Sequence, residues 1–375
     1  MMDHRDGQSL FKIELIDGFT GRIRVVSVQK RQQVSGKWRL EIDGVRHSFG
    51  QFMLRDVDAG EAREILLSVE VPDAVSGAEA WLIVELSEKD SLPVVAAFPM
   101  PVPAYLPPPG KKGEFFTGLR FDLSRAIISG GKLSAEIDAN GMRNLRYNGE
   151  KLLTCGPRLS LFRAGKVPES LRELKLDRLR ISPDRFVSDG KSVESHALVL
   201  PSKMELDELE FTQKFTPLND GTLRYDAEFV VPESFSGLPR LGVMMRLPGN
   251  MQDISCFGVP PVNSPYPGAV KSRYTTNADE ISRQYFDGGC YRQVKFVTFS
   301  DREKNGCLKI FSTGRNFAFA AARFNETAIS EAVAAGKGLP AAESEIYLYI
   351  DCRIGEEAAV KAGVYRMTLF FSYGQ

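Results

Sequence analysis

Apolar and polar residues alternate with a period of two along most of this chain. Phe11, Ile13 and Leu15 alternate with Lys12 and Glu14, and Trp38, Leu40 and Ile42 with Arg39 and Glu41. Ile65, Leu67, Val69 and Val71 share one face, and Trp81 to Leu86 is a denser apolar run. One apolar face at this spacing marks a half-buried strand. Turn residues such as Asp43-Gly44 and Ala59-Gly60 divide these strands, so residues 1–92 predict a small β-sandwich.

The pattern then breaks. Seven prolines fall between Pro93 and Pro109, ending Pro107-Pro108-Pro109-Gly110. Proline fixes φ and removes a donor, which keeps the stretch out of a sheet and predicts a stiff linker over 93–113. From about Glu114 the strands resume. Asn140-Gly141 and Asn148-Gly149 signal tight hairpins, because a type I′ turn needs positive φ at both central positions. Strands are predicted at Leu209 to Phe215, Leu223 to Val231, Leu241 to Leu247, Val294 to Phe299, Cys307 to Phe311, Ile346 to Ile350 and Val364 to Phe371. In the last, Tyr365, Met367, Leu369 and Phe371 share a face. Two helices interrupt them: Ala278 to Tyr285, and a second running from the N-cap Asn325 through Ile329 and Val333 to Gly336. Residues 114–375 therefore predict one large antiparallel sandwich.

Composition narrows the function classes. The chain has 375 residues, 43% hydrophobic and 26% charged, enough to bury sizeable cores without disulfides or metals. Lys+Arg and Asp+Glu are both 48, so the basic excess that nucleic-acid binding draws on is absent. Cys155, Cys256, Cys290, Cys307 and Cys352 are scattered and odd in number, with no C-x-x-C, which argues against a zinc knuckle or a disulfide framework. The N-terminus has no apolar signal-peptide core and no run is long enough to span a membrane, so a cytoplasmic location is expected.

Familiar catalytic signatures are missing. There is no G-x-S-x-G, H-E-x-x-H or P-loop, and the histidines are three: His4, His47 and His196. Gly336-Lys337-Gly338-Leu339-Pro340-Ala341 imitates a dinucleotide fingerprint, but it follows a helix and contains proline. A retaining glycosidase needs two carboxyls about 5–5.5 Å apart, and nothing singles out such a pair. Trp38 and Trp81 sit in alternating strand patterns, where core packing explains them better than sugar stacking.

Several segments, in order, resemble the last two domains of the β-galactosidases of glycoside hydrolase family 2. Ile137-Asp138-Ala139-Asn140-Gly141 leads through Leu145 to Tyr147-Asn148-Gly149-Glu150-Lys151-Leu152-Leu153, similar to that family's F-D-x-x-x-G-x-L-x-x-Y-x-G-x-x-L-L. Leu161-Phe162-Arg163-Ala164 is similar to its F-x-R-A segment, Leu238-Pro239-Arg240-Leu241-Gly242 to L-P-R-x-G, and Cys256-Phe257-Gly258-Val259-Pro260-Pro261 with Tyr266-Pro267 to W-F-G-x-G-P and Y-P. Phe317 to Ala320, Ile346 to Asp351 and Ala362 to Tyr365 complete the series. The resemblance runs from about Phe116 to the C-terminus, and residues 10–105 resemble the preceding domain by position and pattern.

The fold this implies is all-β: a small immunoglobulin-like β-sandwich, then a large antiparallel, galactose-mutarotase-like supersandwich. The family's catalytic carboxylates lie on a separate (β/α)₈ barrel, absent here. The resemblance thus implies a non-catalytic C-terminal part or small subunit, supporting hydrolysis of terminal β-galactosides beside a barrel-bearing partner or a missing N-terminal half. Family catalytic domains bind Mg or Na ions; this chain is expected to hold no cofactor or metal, and to contact neither nucleic acid nor membrane.

Departures fall on loops and polar motifs. The family's G-G-D-D-S-W loop is shortened after Asp351-Cys352-Arg353-Ile354-Gly355 and has no Trp. The acids following Arg163-Ala164 are missing, and Phe286-Asp287-Gly288-Gly289 replaces Q-E-N-G. Arg163, Tyr266, Asp287 and Arg292 remain as sugar-binding or interface candidates, with ordinary surface or ion-pair roles the simpler account of the charged ones. Three other readings stand beside this one, the plainest being a degenerate scaffold that keeps the strands and has lost the sugar contacts. A mutarotase-like enzyme would need acid and base groups, against which the scarcity of histidine weighs. A stand-alone carbohydrate-binding protein would need exposed aromatics, for which Tyr266, Tyr285 and Tyr291 are candidates.

Overall fold

The computed structural model describes residues 11–18, 20–75, 78–88, 93–102, 105–106, 118–122, 124–130, 132–164, 171, 175–176, 179–200, 207–218, 221–265, 270–301, 303, 306–353 and 359–374. The chain divides into two units, Met1–Pro109 with Ser264–Arg273, and Gly110–Asn263 with Tyr274–Gln375.

The first unit contains β1 (Phe11–Asp17), β2 (Arg22–Ser27), β3 (Arg31–Ile42), β4 (Val45–Val57), β5 (Ala62–Leu66), β6 (Ala74–Val75), β7 (Ala80–Ser87), β8 (Val94–Met100) and β9 (Tyr105–Leu106). Two antiparallel sheets are ordered β1-β2-β5 and β4-β3-β7-β8, with a small parallel β6-β9 pair. With β1, β2, β3, β4, β5, β7 and β8 lettered A, B, C, C′, E, F and G, the sheets read A-B-E and C′-C-F-G, an immunoglobulin-like arrangement. Ile23 and Val25 from one sheet meet Leu40, Leu82 and Val84 from the other, all fully buried. Burial of each such side chain contributes about 1.5–3 kcal/mol.

Asp43-Gly44 makes the β3–β4 hairpin with φ of 50° and 74°, as a type I′ turn requires. Along that hairpin Gly36 faces Phe52 and Trp38 faces Gly50. Each aromatic ring lies over the opposite glycine, so a Cβ on Gly36 would come within 2.2 Å of Phe52 Cζ. The inward face at Ile65, Leu67 and Val69 outlasts the ladder: β5 ends at Leu66, and Ser68 adopts a φ of 52°.

The proline-rich stretch differs from the expected linker. Val94–Met100 is a strand, with Pro99 opposite Trp81 of β7. It is tolerated because β8 ends its sheet, and an edge strand can spare an N–H on its outer side. Pro103 and the Pro107-Pro108-Pro109-Gly110 run lie outside the described residues. Ser264–Arg273 contributes Lys271, whose buried ammonium pairs with Glu79 and lies 5.4 Å from the Trp81 ring centre. Ser272 Oγ donates to Glu41 at 2.9 Å.

The second unit opens with a five-stranded meander, β10 (Gly118–Phe121), β11 (Arg125–Gly130), β12 (Leu133–Asp138), β13 (Gly141–Tyr147) and β14 (Glu150–Leu153). Asn148-Gly149 is the expected type I′ pair, with φ of 51° and 83°. Asn140-Gly141 is not: Asp138 pairs with Gly141, so Ala139 and Asn140 form the loop, held by Asp138 Oδ1 accepting from Asn140 N at 2.9 Å. The remaining strands are β15 (Cys155–Ser160), β16 (Arg180–Ser188), β17 (Val193–Leu200), β18 (Leu209–Pro217), β19 (Leu223–Val231), β20 (Gly242–Pro248), β21 (Asp253–Val259), β22 (Ser272–Asn277), β23 (Tyr291–Ser300), β24 (Cys307–Phe311), β25 (Phe317–Ala322), β26 (Glu345–Asp351) and β27 (Gly363–Gly374). They make a 13-stranded sheet ordered β15-β20-β26-β25-β23-β24-β27-β19-β18-β17-β16, with β21 and β22 off this path. All pairings given for its strands are antiparallel, so the unit matches the all-β expectation.

Burial changes along that sheet. β17, β18 and β19 alternate buried with partly exposed residues, whereas β25 is buried throughout and β26 at every interior position. The second face of β25 and β26 is covered by α1 (Ala278–Phe286) and α2 (Glu326–Ala334). Asn277 caps α1 by accepting from Asp279 N and Glu280 N, and Asn325 caps α2 by accepting from Ala328 N at 2.9 Å. Gly336, with a φ of 62°, follows α2 as expected.

Candidate functional site

The period of two on β26 sorts its side chains. Ile346, Leu348 and Ile350 are fully buried on one face, while Tyr347, Tyr349 and Asp351 project to the other. On that second face Tyr349 stands between Met244 of β20 and Ala320 of β25. The small alanines of β25 leave room for Tyr285 of α1, whose ring stacks on Tyr349 at 5.4 Å and 26°.

A buried ion pair is fitted beside these rings. Arg240, 3% exposed, donates through Nη1 to Glu326 Oε1 at 2.7 Å, to the Phe162 carbonyl at 2.9 Å and to Ser160 Oγ at 3.2 Å. Its Nη2 donates to the Tyr285 hydroxyl, which in turn donates to Glu326 Oε1. Glu326 Oε2 accepts from Ala164 N at 2.7 Å. The Arg240 guanidinium also lies 4.3 Å from the Tyr349 ring centre. Glu326 reaches the pair because Asn325 begins α2 one residue earlier, placing the carboxylate in the first helical turn.

Electrostatics follow from burial. Burial opposes the charge on Arg240, but Tyr285, Glu326 and Tyr349 more than offset it and hold its pKa above the ordinary value. Burial pushes the Tyr285 phenol well up, aided by Glu326 and resisted by Arg240 and Arg163. Tyr349 is likewise raised, first by burial. A second pair flanks the first: Arg353 grips Asp351 through Nε at 3.0 Å and Nη2 at 2.6 Å, and also donates to the Pro239 carbonyl. Burial opposes the Arg353 charge, and the hydrogen bond and charge of Asp351, with a smaller contribution from Cys352, together outweigh it and hold the pKa above the ordinary value.

Two hollows adjoin the cluster. The smaller, about 20 Å³, is lined by Arg163, Arg240, Tyr285, Cys290, Tyr349, Asp351 and Arg353 among others. The larger, about 270 Å³, has walls that include Phe162, Met244, Asn325, Glu326, Tyr347 and Tyr349. Tyr349 borders both.

Of the residues expected from sequence, Arg163 lies at this cluster. It is 8% exposed, donates to the Gly288 carbonyl at 2.6 Å and stands 5.7 Å from the Tyr285 ring centre. Asp287 is the exposed C-cap of α1, and Arg292 is half-buried on β23 opposite Val259; neither lines the hollows. Tyr266 lies outside the described residues, as do Ile354 to Ala358 of the shortened loop. Tyr285 and Tyr291 are buried, so neither offers the exposed platform that a binding module needs. Arg240, Glu326, Asp351 and Arg353 were not singled out as site residues. Their signal was a charge inside or beside an apolar run, as in Leu238-Pro239-Arg240-Leu241.

His196 on β17 faces Asp184 at 3.0 Å and His47 lies on β4, so neither joins the cluster; His4 lies outside the described residues. None of the five cysteines is in a disulfide; Cys155, Cys256 and Cys352 are buried, and Cys290 and Cys307 half-buried. Among the described residues no group of three or more His, Cys, Asp or Glu is placed to hold a metal, and no helix is long and apolar enough to cross a membrane.

No family profile and no curated protein matches the sequence. Solved structures similar to the chain include a putative aldose 1-epimerase from Escherichia coli K12, at 10% identity over 68% of this chain and 99% of that one, with a TM-score of 0.39. A galactose 1-epimerase from Lactobacillus acidophilus NCFM matches at 10% identity over 78% and 98%, with a TM-score of 0.38. A putative mutarotase from Salmonella typhimurium matches at 9% over 68% and 93%, with a TM-score of 0.35.

Proposed function

We propose that this chain is a non-catalytic, carbohydrate-binding β-protein in which the buried Arg240–Glu326 and Arg353–Asp351 pairs serve the fold. The carrying observation is the engagement of both carboxylates. Glu326 accepts from Arg240, Tyr285 and Ala164, and Asp351 is held in the fork of Arg353. A general base needs a lone pair facing the substrate and a pKa near the working pH. A carboxylate filled by internal donors offers no such lone pair, and burial keeps the Tyr285 phenol protonated. The carbohydrate part of the reading is supported by the resemblance to family-2 β-galactosidases, since Arg240, Arg163 and Tyr285 are themselves buried and bonded within the protein.

The test is twofold. Galactose anomerisation, followed by NMR, is expected to run at its spontaneous rate with the protein present, while calorimetry is expected to detect binding within a panel of galactosides. Acceleration that Glu326→Gln abolishes would overturn the non-catalytic assignment, and no heat from any sugar would overturn the binding role.

The resemblance to family-2 β-galactosidases supplies a finer version: the chain serves as the C-terminal part or small subunit beside a barrel-bearing glycosidase. In its favour, the L-P-R-x-G segment that carries the resemblance also carries Arg240, the hub of the buried network. Gel filtration with the matching barrel chain tests it, with co-elution at micromolar concentration the expected result and separate peaks the contrary one.

A further inference from the structure

A third hollow, of about 190 Å³, draws its walls from both ends of the 13-stranded sheet. Arg158 and Leu159 come from β15 at one end and Ile181 from β16 at the other. Asn140 of the β12–β13 loop lines it too, as do Phe211 and Gln213 of β18. Gln213 is out of keeping with its strand. The inward set of β18 is Leu209, Phe211, Gln213 and Phe215, so an amide stands where the period of two otherwise buries apolar side chains. Gln213 is 2% exposed. Its Oε1 accepts from the Tyr225 hydroxyl at 3.4 Å, a long bond, while its Nε2 meets no acceptor among the described residues. Ser195, opposite Gln213 on β17 and equally inward, has a buried Oγ with no hydrogen-bond partner among the described residues.

A buried donor left unbonded is costly, so a hollow beside one favours a guest that brings acceptors. The rim has the same need. The exposed Arg158 guanidinium makes no ion pair or hydrogen bond among the described residues. Asp138, the acid that precedes the Asn140 loop, is engaged by Arg143 and by the Asn140 backbone, and leaves Arg158 uncompensated. A planar guanidinium fork takes both oxygens of a carboxylate. A phosphate dianion would bring a second charge, for which the described lining holds no second cation. We propose that this hollow binds a small monocarboxylic acid, its carboxylate held by Arg158 and the Gln213 amide and its apolar body laid against Phe211, Leu159 and Ile181. Asn140 adds a second amide at the rim. The site lies apart from the buried arginine cluster and does not depend on the carbohydrate reading.

Benzoate and hexanoate are the probes, titrated into the full chain by calorimetry and by NMR of side-chain amide groups, with benzamide as the uncharged control. The expected result is saturable binding of the acids at neutral pH. The Gln213 Nε2 signal, assigned by its loss in Gln213→Met, should shift in step. Affinity should fall at least about tenfold in Arg158→Gln and in Gln213→Met, as the loss of a charge-assisted hydrogen bond predicts, and benzamide should bind more weakly by a similar factor. Arg158 is exposed, so its replacement spares the core, and the melting temperature of each variant checks that. Absence of saturable binding of both acids to the wild-type chain would overturn the proposal. So would binding that Arg158→Gln leaves intact, binding that does not move the Gln213 signal, or benzamide binding as tightly as benzoate.

Discussion

Arg240 and Glu326 meet at 2.7 Å inside the second unit, although 86 residues separate them along the chain. Each is the main charged partner of the other in a wall of tyrosine rings. Removing one partner of such a pair leaves an uncompensated buried charge, which costs about 3–5 kcal/mol, whereas replacing both by apolar groups costs far less. Arg240→Met and Glu326→Leu are each expected to lower unfolding free energy by about that amount in urea titrations, and the double variant by clearly less than their sum.

The buried phenols set an alkaline limit. Tyr225, Tyr285 and Tyr349 have pKa values raised by burial. A raised folded pKa gives stability that is fully present below the unfolded value near 10 and is lost as pH climbs toward the folded one. Stability is therefore expected to fall above about pH 10. In an absorbance titration of phenolate, these tyrosines should ionise together with the loss of circular dichroism instead of before it.

Cysteine reactivity should follow burial. The Cys352 thiol is 3% exposed and pushed up to about 12, by burial first and by Asp351 second, so it stays a thiol at mildly alkaline pH. Cys290 and Cys307 are half-buried. Mass spectrometry of iodoacetamide-treated native protein should find label on Cys290 and Cys307 well before Cys352, with the difference abolished in denaturant.

Gly36 tests the first unit. A methyl there would meet the Phe52 ring at 2.2 Å, and the ring already packs on the buried core. Gly36→Ala is expected to cost about 1–3 kcal/mol, the range for overpacking, measurable as a lower midpoint in chemical denaturation.

Much of the strand order was legible because it depends on local alternation. Leu223–Val231 and Cys307–Phe311 end where their patterns end, and the caps at Asn277 and Asn325 start helices where expected. Where a neighbour decides, local pattern misled. Pro99 reads as a break, yet it sits in a strand because β8 lies at a sheet edge, a fact fixed by pairing with β7. Asn140-Gly141 has turn chemistry, yet the register of β12 on β13 places the loop one residue earlier. The arginine cluster was harder still. Arg240, Glu326 and Arg353 look like ordinary surface charges in a chain with 48 acidic and 48 basic residues, and only the crossing of β20, β26 and α2 shows them buried together.

The segment Ser264–Arg273 gives the first unit an unusual place in time. A ribosome emits residues in order, so Glu79 and Trp81 leave the exit tunnel long before Lys271, their buried companion, has been made. Until then the first sandwich must wait with that seat vacant, and the polypeptide between 110 and 263 is synthesised in the interval. Maturation of the N-terminal unit is thereby tied to translation of most of the chain, and a nascent polypeptide stalled before residue 271 would carry that unit unfinished.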